Sequence, residues 1–188
     1  MKVETTQDNL AAVMKSIKDL VSQDVLVGIP AANASRDNSG PINNAALGYV
    51  HEFGSPAQGI PPRPFLIPGV TKAEDGITDQ MKQAGKAALN FKPAGVQQAL
   101  MKAGEKAVSS AKAVMTAGEG YEPLKPATIA NRYRQRGTIS MRKGEKAYLA
   151  LKEQGGMSEQ DMQSAAGIKP LINTGQLRNS LTYVIRKK

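Results

Sequence analysis

Apolar and polar positions alternate along this chain with a period that changes several times. Leu10, Val13, Met14, Ile17, Leu20 and Val21 recur every three or four residues, which lays one stripe along a helix. Thr6 or Asp8 can cap its start, because a side-chain oxygen satisfies a free N–H of the first turn. From Asp24 the period shifts, and Val25, Leu26, Val27 and Ile29, stopped by Pro30, read as a short buried strand. The small, polar, turn-forming residues of 30–41 predict a flexible loop. Ala46, Val50 and Phe53 then return to helical spacing within 42–53. Pro41 suits the first turn of that helix, and Gly54 can take the left-handed conformation that ends it.

Pro56, Pro61, Pro62, Pro64 and Pro68 fix backbone angles and remove donors, so 55–68 is expected to cross the molecule as a rigid extended segment. Val70, Ile77, Met81, Ala84, Ala88 and Leu89 mark a further helix. After a break at 90–93 the stripe resumes with Val96, Leu100, Ala103, Ala107, Ala111 and Val114, which fits one long kinked helix as well as two. Gly118 and Gly120 close it, 125–136 reads as a short basic helix, and 137–167 shows no sustained period and is expected to be an insertion or arm. Thr174 begins a last helix, and alternation from Leu181 to Arg186 predicts a terminal strand. The expected fold is α+β in a single domain over 1–188: a small mixed or antiparallel sheet packed against a long kinked helix and shorter helices.

Composition narrows the chemistry. Aromatic residues are only 4% of the chain, with no Trp, so the core must be built from Ala, Leu, Ile, Val and Met. Small side chains remove less apolar surface from water, at about 25 cal/mol per Å2, and help from neighbouring copies is expected. With no Cys and a single His, thiol chemistry and multi-histidine metal centres are excluded, and no cofactor is expected. Apolar runs fall short of the roughly 18 residues that a membrane span needs, and no signal-like core follows Met1, so a soluble protein without membrane contact is expected. The net charge of +9 is unevenly spread. Residues 1–90 are close to neutral, whereas Lys125, Arg132, Arg134, Arg136, Arg142, Lys143, Lys146 and Lys152 face a single acid, Glu145, within 125–152. Such a block favours an anionic partner or a solvated face.

No residue set points to catalysis. His51 has Glu52 beside it but no motif-bearing nucleophile, and a histidine at a helix end is more often structural. Phosphate-loop and dinucleotide fingerprints are absent, and Glu74 with Asp75 lacks the further oxygen ligands of a magnesium site. Arg132, Arg134 and Arg136, with Arg142, Lys143 and Lys146, are candidates for contact with DNA phosphates or for lining a lumen, because guanidinium groups pair with phosphate oxygens in bidentate fashion. If 125–136 is helical, Arg132 and Arg136 share a face and Arg134 does not. The most distinctive text is His51-Glu52-Phe53-Gly54 followed by Pro61-Pro62-Arg63-Pro64-Phe65-Leu66. It is expected to form a fold corner or subunit contact, with Phe53 and Phe65 anchoring it to the core and Arg63 donating to carbonyls or to Glu52.

At these residues the chain resembles the phage virion-morphogenesis, or tail-completion, family of head-tail joining proteins. The resemblance includes Leu124-Lys125-Pro126-Ala127-Thr128-Ile129 and the closing stretch from Pro170 to Leu181, while 137–167 exceeds the compact family pattern. It implies a structural protein, not an enzyme, whose copies form a ring, expected to be six-fold, in the virion neck. Its partners would be itself, the head-tail connector or stopper, and the tail terminator or tube, with genome DNA passing through the channel. Assembly would take place in the host cytoplasm. An alternative is a free basic nucleic-acid-binding protein using 125–152.

Overall fold

The computed structural model describes residues 9–36, 42–135 and 143–188. They form helices α1 (Leu10–Val21), α2 (Asn44–Phe53), α3 (Leu66–Lys72), α4 (Glu74–Leu89), α5 (Pro93–Ala117), α6 (Pro126–Gln135), α7 (Lys143–Gln154), α8 (Glu159–Ala165) and α9 (Gln176–Ser180). Strands β1 (Gln23–Gly28) and β2 (Thr182–Lys187) complete an α+β architecture.

Helix α5 organises the rest. It opens on Pro93, whose missing N–H has no intrahelical partner at that position, and closes at Gly118, which adopts φ 64°. Its buried stripe is mostly small: Ala99, Ala103, Gly104, Ala107 and Ala111. That allows close packing on more than one side. At Gly69 of α3 a Cβ would overlap the backbone of Ala111, and at Gly104 a Cβ would overlap the ring of Tyr183 on β2. Between α4 and α5 the chain reverses through Phe91, at φ 54°, with the Lys92 N–H bonded to the Ala87 carbonyl at 2.9 Å. The two helices therefore pack side by side, and of the two arrangements that the apolar stripe allows, separate helices form.

The sheet has two antiparallel strands, with Gln23 opposite Lys187 and Gly28 opposite Thr182. Val25 and Ile185 pack against Ala84, Ala88, Val96, Ala99 and Leu100, while Val27 and Tyr183 join the cluster of Phe65, Val108, Ala111, Met115, Leu171, Leu177 and Leu181. Leu26 and Val184 point the other way and are exposed. The strand read as buried is thus half-buried, because α5 covers only one face. Helix α1 has the bounds that its spacing predicts, but only part of the stripe is covered. Leu20 packs on the core, whereas Met14 and Val21 are 60% and 61% exposed. Thr6 and Asp8, the expected caps, lie outside the described residues, and Asn9 makes no side-chain cap bond.

Two further expectations are corrected, and two regions gain detail. Within 30–41, residues 31–33 form a 3-10 turn and Ala34 is buried, while 37–41 lie outside the described residues. Helix α2 starts at Asn44, with Asn43 Oδ1 accepting from the Ala46 N–H at 2.8 Å; Pro41 lies outside the described residues. The proline-rich crossing ends at Pro64, since α3 already contains Pro68 in its first turn, where an N–H would be unpaired anyway. Of the stretch 137–167, expected as an insertion or arm, residues 143–167 are described and hold α7 and α8. Helices α7 and α8 pack with α6 around Leu124, Ile129, Tyr148, Met162 and Ile168. The side-chain amide of Gln163, itself buried, holds this module together, accepting from the Leu124 N–H at 2.8 Å and donating to the Leu124 carbonyl at 2.7 Å.

Candidate functional site

The segment from His51 to Phe65 is built around one carboxylate. Glu52 is buried at the C-terminal end of α2, and its Oε2 accepts from the Phe65 and Leu66 N–H groups at 2.8 and 2.9 Å. Its Oε1 accepts from the Ile67 N–H at 2.9 Å. These are free N–H groups at the start of α3, where an anion is favoured both by hydrogen bonding and by the helix dipole. Glu52 thus supplies from another helix the cap that α3 lacks in its own sequence, since Phe65 stands at the cap position.

Gly54 ends α2 at φ 78°, and a Cβ there would press on the Ile60 carbonyl and on Pro62, so glycine is required twice over. Ser55 and Ile60 then pair across a tight turn, and the Arg63 N–H donates to the His51 carbonyl at 2.6 Å. The Arg63 guanidinium donates to the Glu122 carbonyl, at 3.2 Å from Nη2, and the Tyr121 hydroxyl donates to the Pro64 carbonyl at 2.7 Å. Burial lowers the pKa of Arg63. Burial first and the Glu52 charge second push Tyr121 up to about 12, which keeps its hydroxyl a donor. Phe65 enters the core and is 2% exposed.

Phe53 does not. Expected to anchor the corner, it is 56% exposed and meets Tyr49, 67% exposed, with ring centroids 4.8 Å apart. The reason lies in the phase of α2, whose buried positions are Asn44, Gly48 and Glu52. Ala46 and Phe53, on the stripe read as the core face, are exposed. Glu52 and Asn44 find partners inside, the latter donating to the Ser35 carbonyl at 2.8 Å, so the polar face is the inner one. With Ile67, also exposed, the two rings border a groove of about 230 Å3 floored by Gly48, Phe65 and Leu181. Tyr49, Ile67, Tyr121 and the Glu122 carbonyl were not singled out from the sequence. The i, i+4 series Asn44, Gly48, Glu52 was the signal that α2 could be turned polar side in.

Of the basic candidates, the two described arginines are bonded within the protein. Arg132 donates to the carbonyls of Lys169, Pro170 and Ile172, at 2.8 Å for Pro170, so it ties α6 to the segment before α9. Arg134 folds back on its own helix, donating to Asn131 Oδ1 at 2.8 Å. Lys143 and Lys146 are exposed on α7, and Arg136 and Arg142 lie outside the described residues. Among the described residues no group of three or more His, Asp or Glu side chains is arranged to hold a metal ion, and no helix is long and apolar enough to cross a membrane. Comparison with protein-family models, with curated proteins and with solved structures finds no match to this chain.

Proposed function

We propose that this protein is a structural, non-enzymatic building block of a phage neck or tail, closing with its own copies into a ring through which genome DNA passes. The ring would seat between the head connector or stopper and the tail terminator or tube, as the resemblance to tail-completion proteins implies. The observation that carries the proposal is the presence of two separate apolar faces at the surface. One is the outer side of α1, with Met14, Ile17 and Val21, and the other is the corner of α2 and α3, with Tyr49, Phe53 and Ile67. A ring of more than two copies needs two unlike, mutually complementary patches on each subunit. Exposed apolar patches of this kind are the usual mark of protein contact. Glu52 supports the second patch by fixing the angle between α2 and α3.

The alternative, a free nucleic-acid-binding protein, has less support, because Arg132 is committed to three carbonyls inside the fold. Sedimentation velocity over a range of concentrations, followed by electron microscopy of the largest species, tests the proposal. Closed rings are expected, and paired Met14→Ser and Ile17→Ser substitutions should return them to monomers. A wild-type chain that stays monomeric at high concentration overturns it.

A further inference from the structure

The buried apolar side chains sort into clusters that do not mix along the sequence. Leu124, Ile129, Tyr148, Met162 and Ile168, with Leu149, Leu151 and Ala166 packed against them, all fall within 124–168. Among the described residues, the two clusters around α5 take no member from that range. The boundary is narrow at both crossings. On entry, Tyr121 packs with the α5 cluster and donates to the Pro64 carbonyl, whereas Leu124 belongs to the module of α6, α7 and α8. On exit, Ile168 belongs to the module and Leu171 to the α5 cluster. The chain therefore crosses at Pro123 and again at Lys169-Pro170.

These crossings lie beside each other. Tyr121, Pro123, Lys169 and Pro170, together with Gln160 and Ser164 of α8, wall one cleft of about 400 Å3. Adjacent connections with a cleft along them define a hinge line, because rotation about it stretches neither connection. Pro123 and Pro170 carry no N–H, so turning there breaks no bond donated by their own backbone. Ties across the line come from the ends of long side chains. Arg132 of α6 donates to the carbonyls of Lys169, Pro170 and Ile172, Lys169 Nζ donates to the Ala117 carbonyl at 3.0 Å, and Lys125 Nζ to the Gly59 carbonyl at 3.3 Å. Water can replace such bonds one at a time, whereas the apolar clusters on either side resist exposure.

We propose that α6, α7 and α8 form a module that swings as one body about Pro123 and Lys169-Pro170, with Arg132 as the latch that holds it closed. The consequence lies in what the two parts carry. The apolar faces of α1 and of α2 with α3 are on the α5 side of the line, whereas Lys143 and Lys146 are exposed on the module. Swinging changes the angle between them and unpacks neither cluster. Ring closure is not required for this motion, since every contact it uses lies within one chain.

The chain has no Cys, so pairs of introduced cysteines can carry fluorophores at chosen positions. Single-molecule energy transfer would be measured at concentrations too low for assembly. Ser109→Cys with Gln154→Cys spans the line; Lys18→Cys with Ser109→Cys stays on the α5 side, and Ala127→Cys with Gln154→Cys stays inside the module. All four positions are exposed. Arg132→Lys keeps the charge but gives up the fork that reaches several carbonyls at once. It is expected to split or broaden the transfer distribution of the spanning pair while both other pairs keep theirs, and Lys169→Ala should act in the same direction. A spanning pair that keeps its wild-type distribution in both variants overturns the proposal. Should Arg132→Lys broaden the module pair as well, Lys169→Ala decides: broadening of the module pair there too means that the module does not move as one body, which also overturns it.

Discussion

Helices α5 and α2 lie against the same core and bury opposite kinds of side chain. Helix α5 turns Val96, Leu100, Ala103, Ala107 and Ala111 inward, as an amphipathic helix in water is expected to do. Helix α2 turns Asn44, Gly48 and Glu52 inward and leaves Tyr49 and Phe53 to solvent. The difference follows from what each face meets. Around α5 the neighbours are apolar clusters, so burial of apolar area decides its orientation. Around α2 the neighbour is the open N-terminus of α3, where three N–H groups need an acceptor. Leaving a buried donor unpaired costs roughly 1 to 3 kcal/mol, comparable to the gain from burying one aromatic ring, and here one buried and two part-buried N–H groups need an acceptor, so the carboxylate turns inward. An aromatic pair left outside by this choice is then available to another molecule.

The largest expected break in this contrast comes from two phenylalanines twelve residues apart. Phe65 packs with Val108, Met115 and Leu177, and Phe65→Ala should cost about 3 to 5 kcal/mol in urea unfolding. Phe53→Ala, on the exposed side, should change stability by under about 0.5 kcal/mol. Equal losses for the two variants would mean that α2 does not present its aromatic face to water.

Next in size is the pH dependence contributed by His51. Its pKa falls from 6.5 to about 4 on folding, so between these values the unfolded chain binds more protons than the folded one. Its contribution is therefore fully present above about pH 6.5 and is lost as pH falls toward 4, by up to about 3 kcal/mol. Unfolding measured at pH 7 and pH 4.5 in phosphate-free buffer should show this loss in the wild type. His51→Gln should lose less stability over the same interval, and identical slopes would show that the imidazole is not held neutral by its surroundings.

Much of this arrangement is legible where local chemistry decides it. The spacing from Leu10 to Val21 bounds α1, Gly118 ends α5 in the left-handed conformation, and alternation near the C-terminus marks β2, whereas Gly54 ends α2 at a positive φ but with ψ 178°, outside the left-handed helical region expected for it. What stays hidden depends on partners distant in sequence. Glu52 acts on N–H groups thirteen to fifteen positions away, and Gln163 pairs with Leu124 across thirty-nine. Helices α7 and α8 escape a periodicity reading because their buried positions, Glu145, Tyr148, Met162 and Gln163, mix polar with apolar residues. The basic series misleads in a similar way, since nothing local distinguishes an arginine that binds phosphate from one that, like Arg132, ties down carbonyls.

A smaller and sharper test acts on the carboxylate itself. Glu52→Gln keeps the shape but removes the charge and exchanges one acceptor oxygen for a donor facing donors, so at least one of the three cap bonds is lost. The expected cost is about 2 kcal/mol in equilibrium unfolding. Hydrogen exchange should show it as faster opening at Leu66 and Ile67, with little change at Leu124, which Gln163 holds independently. A uniform acceleration over the whole chain would mean that Glu52 supports global packing and not the start of α3.

The smallest effect on stability should carry the largest effect on assembly. Tyr49 and Phe53 contact each other at the rim of the α2–α3 groove and contribute little to the core. Replacing both by Ser should leave the monomer within about 0.5 kcal/mol of wild type, because exposed side chains lose little on truncation. In a ring the same two side chains would be covered by the outer face of a neighbour's α1, and aromatic residues at the centre of such contacts commonly supply 2 kcal/mol or more each. The double variant is thus expected to sediment as a stable monomer under conditions where the wild type closes. Mixed with the α1 variant that carries Met14→Ser and Ile17→Ser, it offers the complementary defect: each chain keeps one intact face, so one-to-one dimers should form where neither chain alone assembles. If the mixture stays monomeric, the two faces do not meet each other, and the apolar side of α2 serves a different partner.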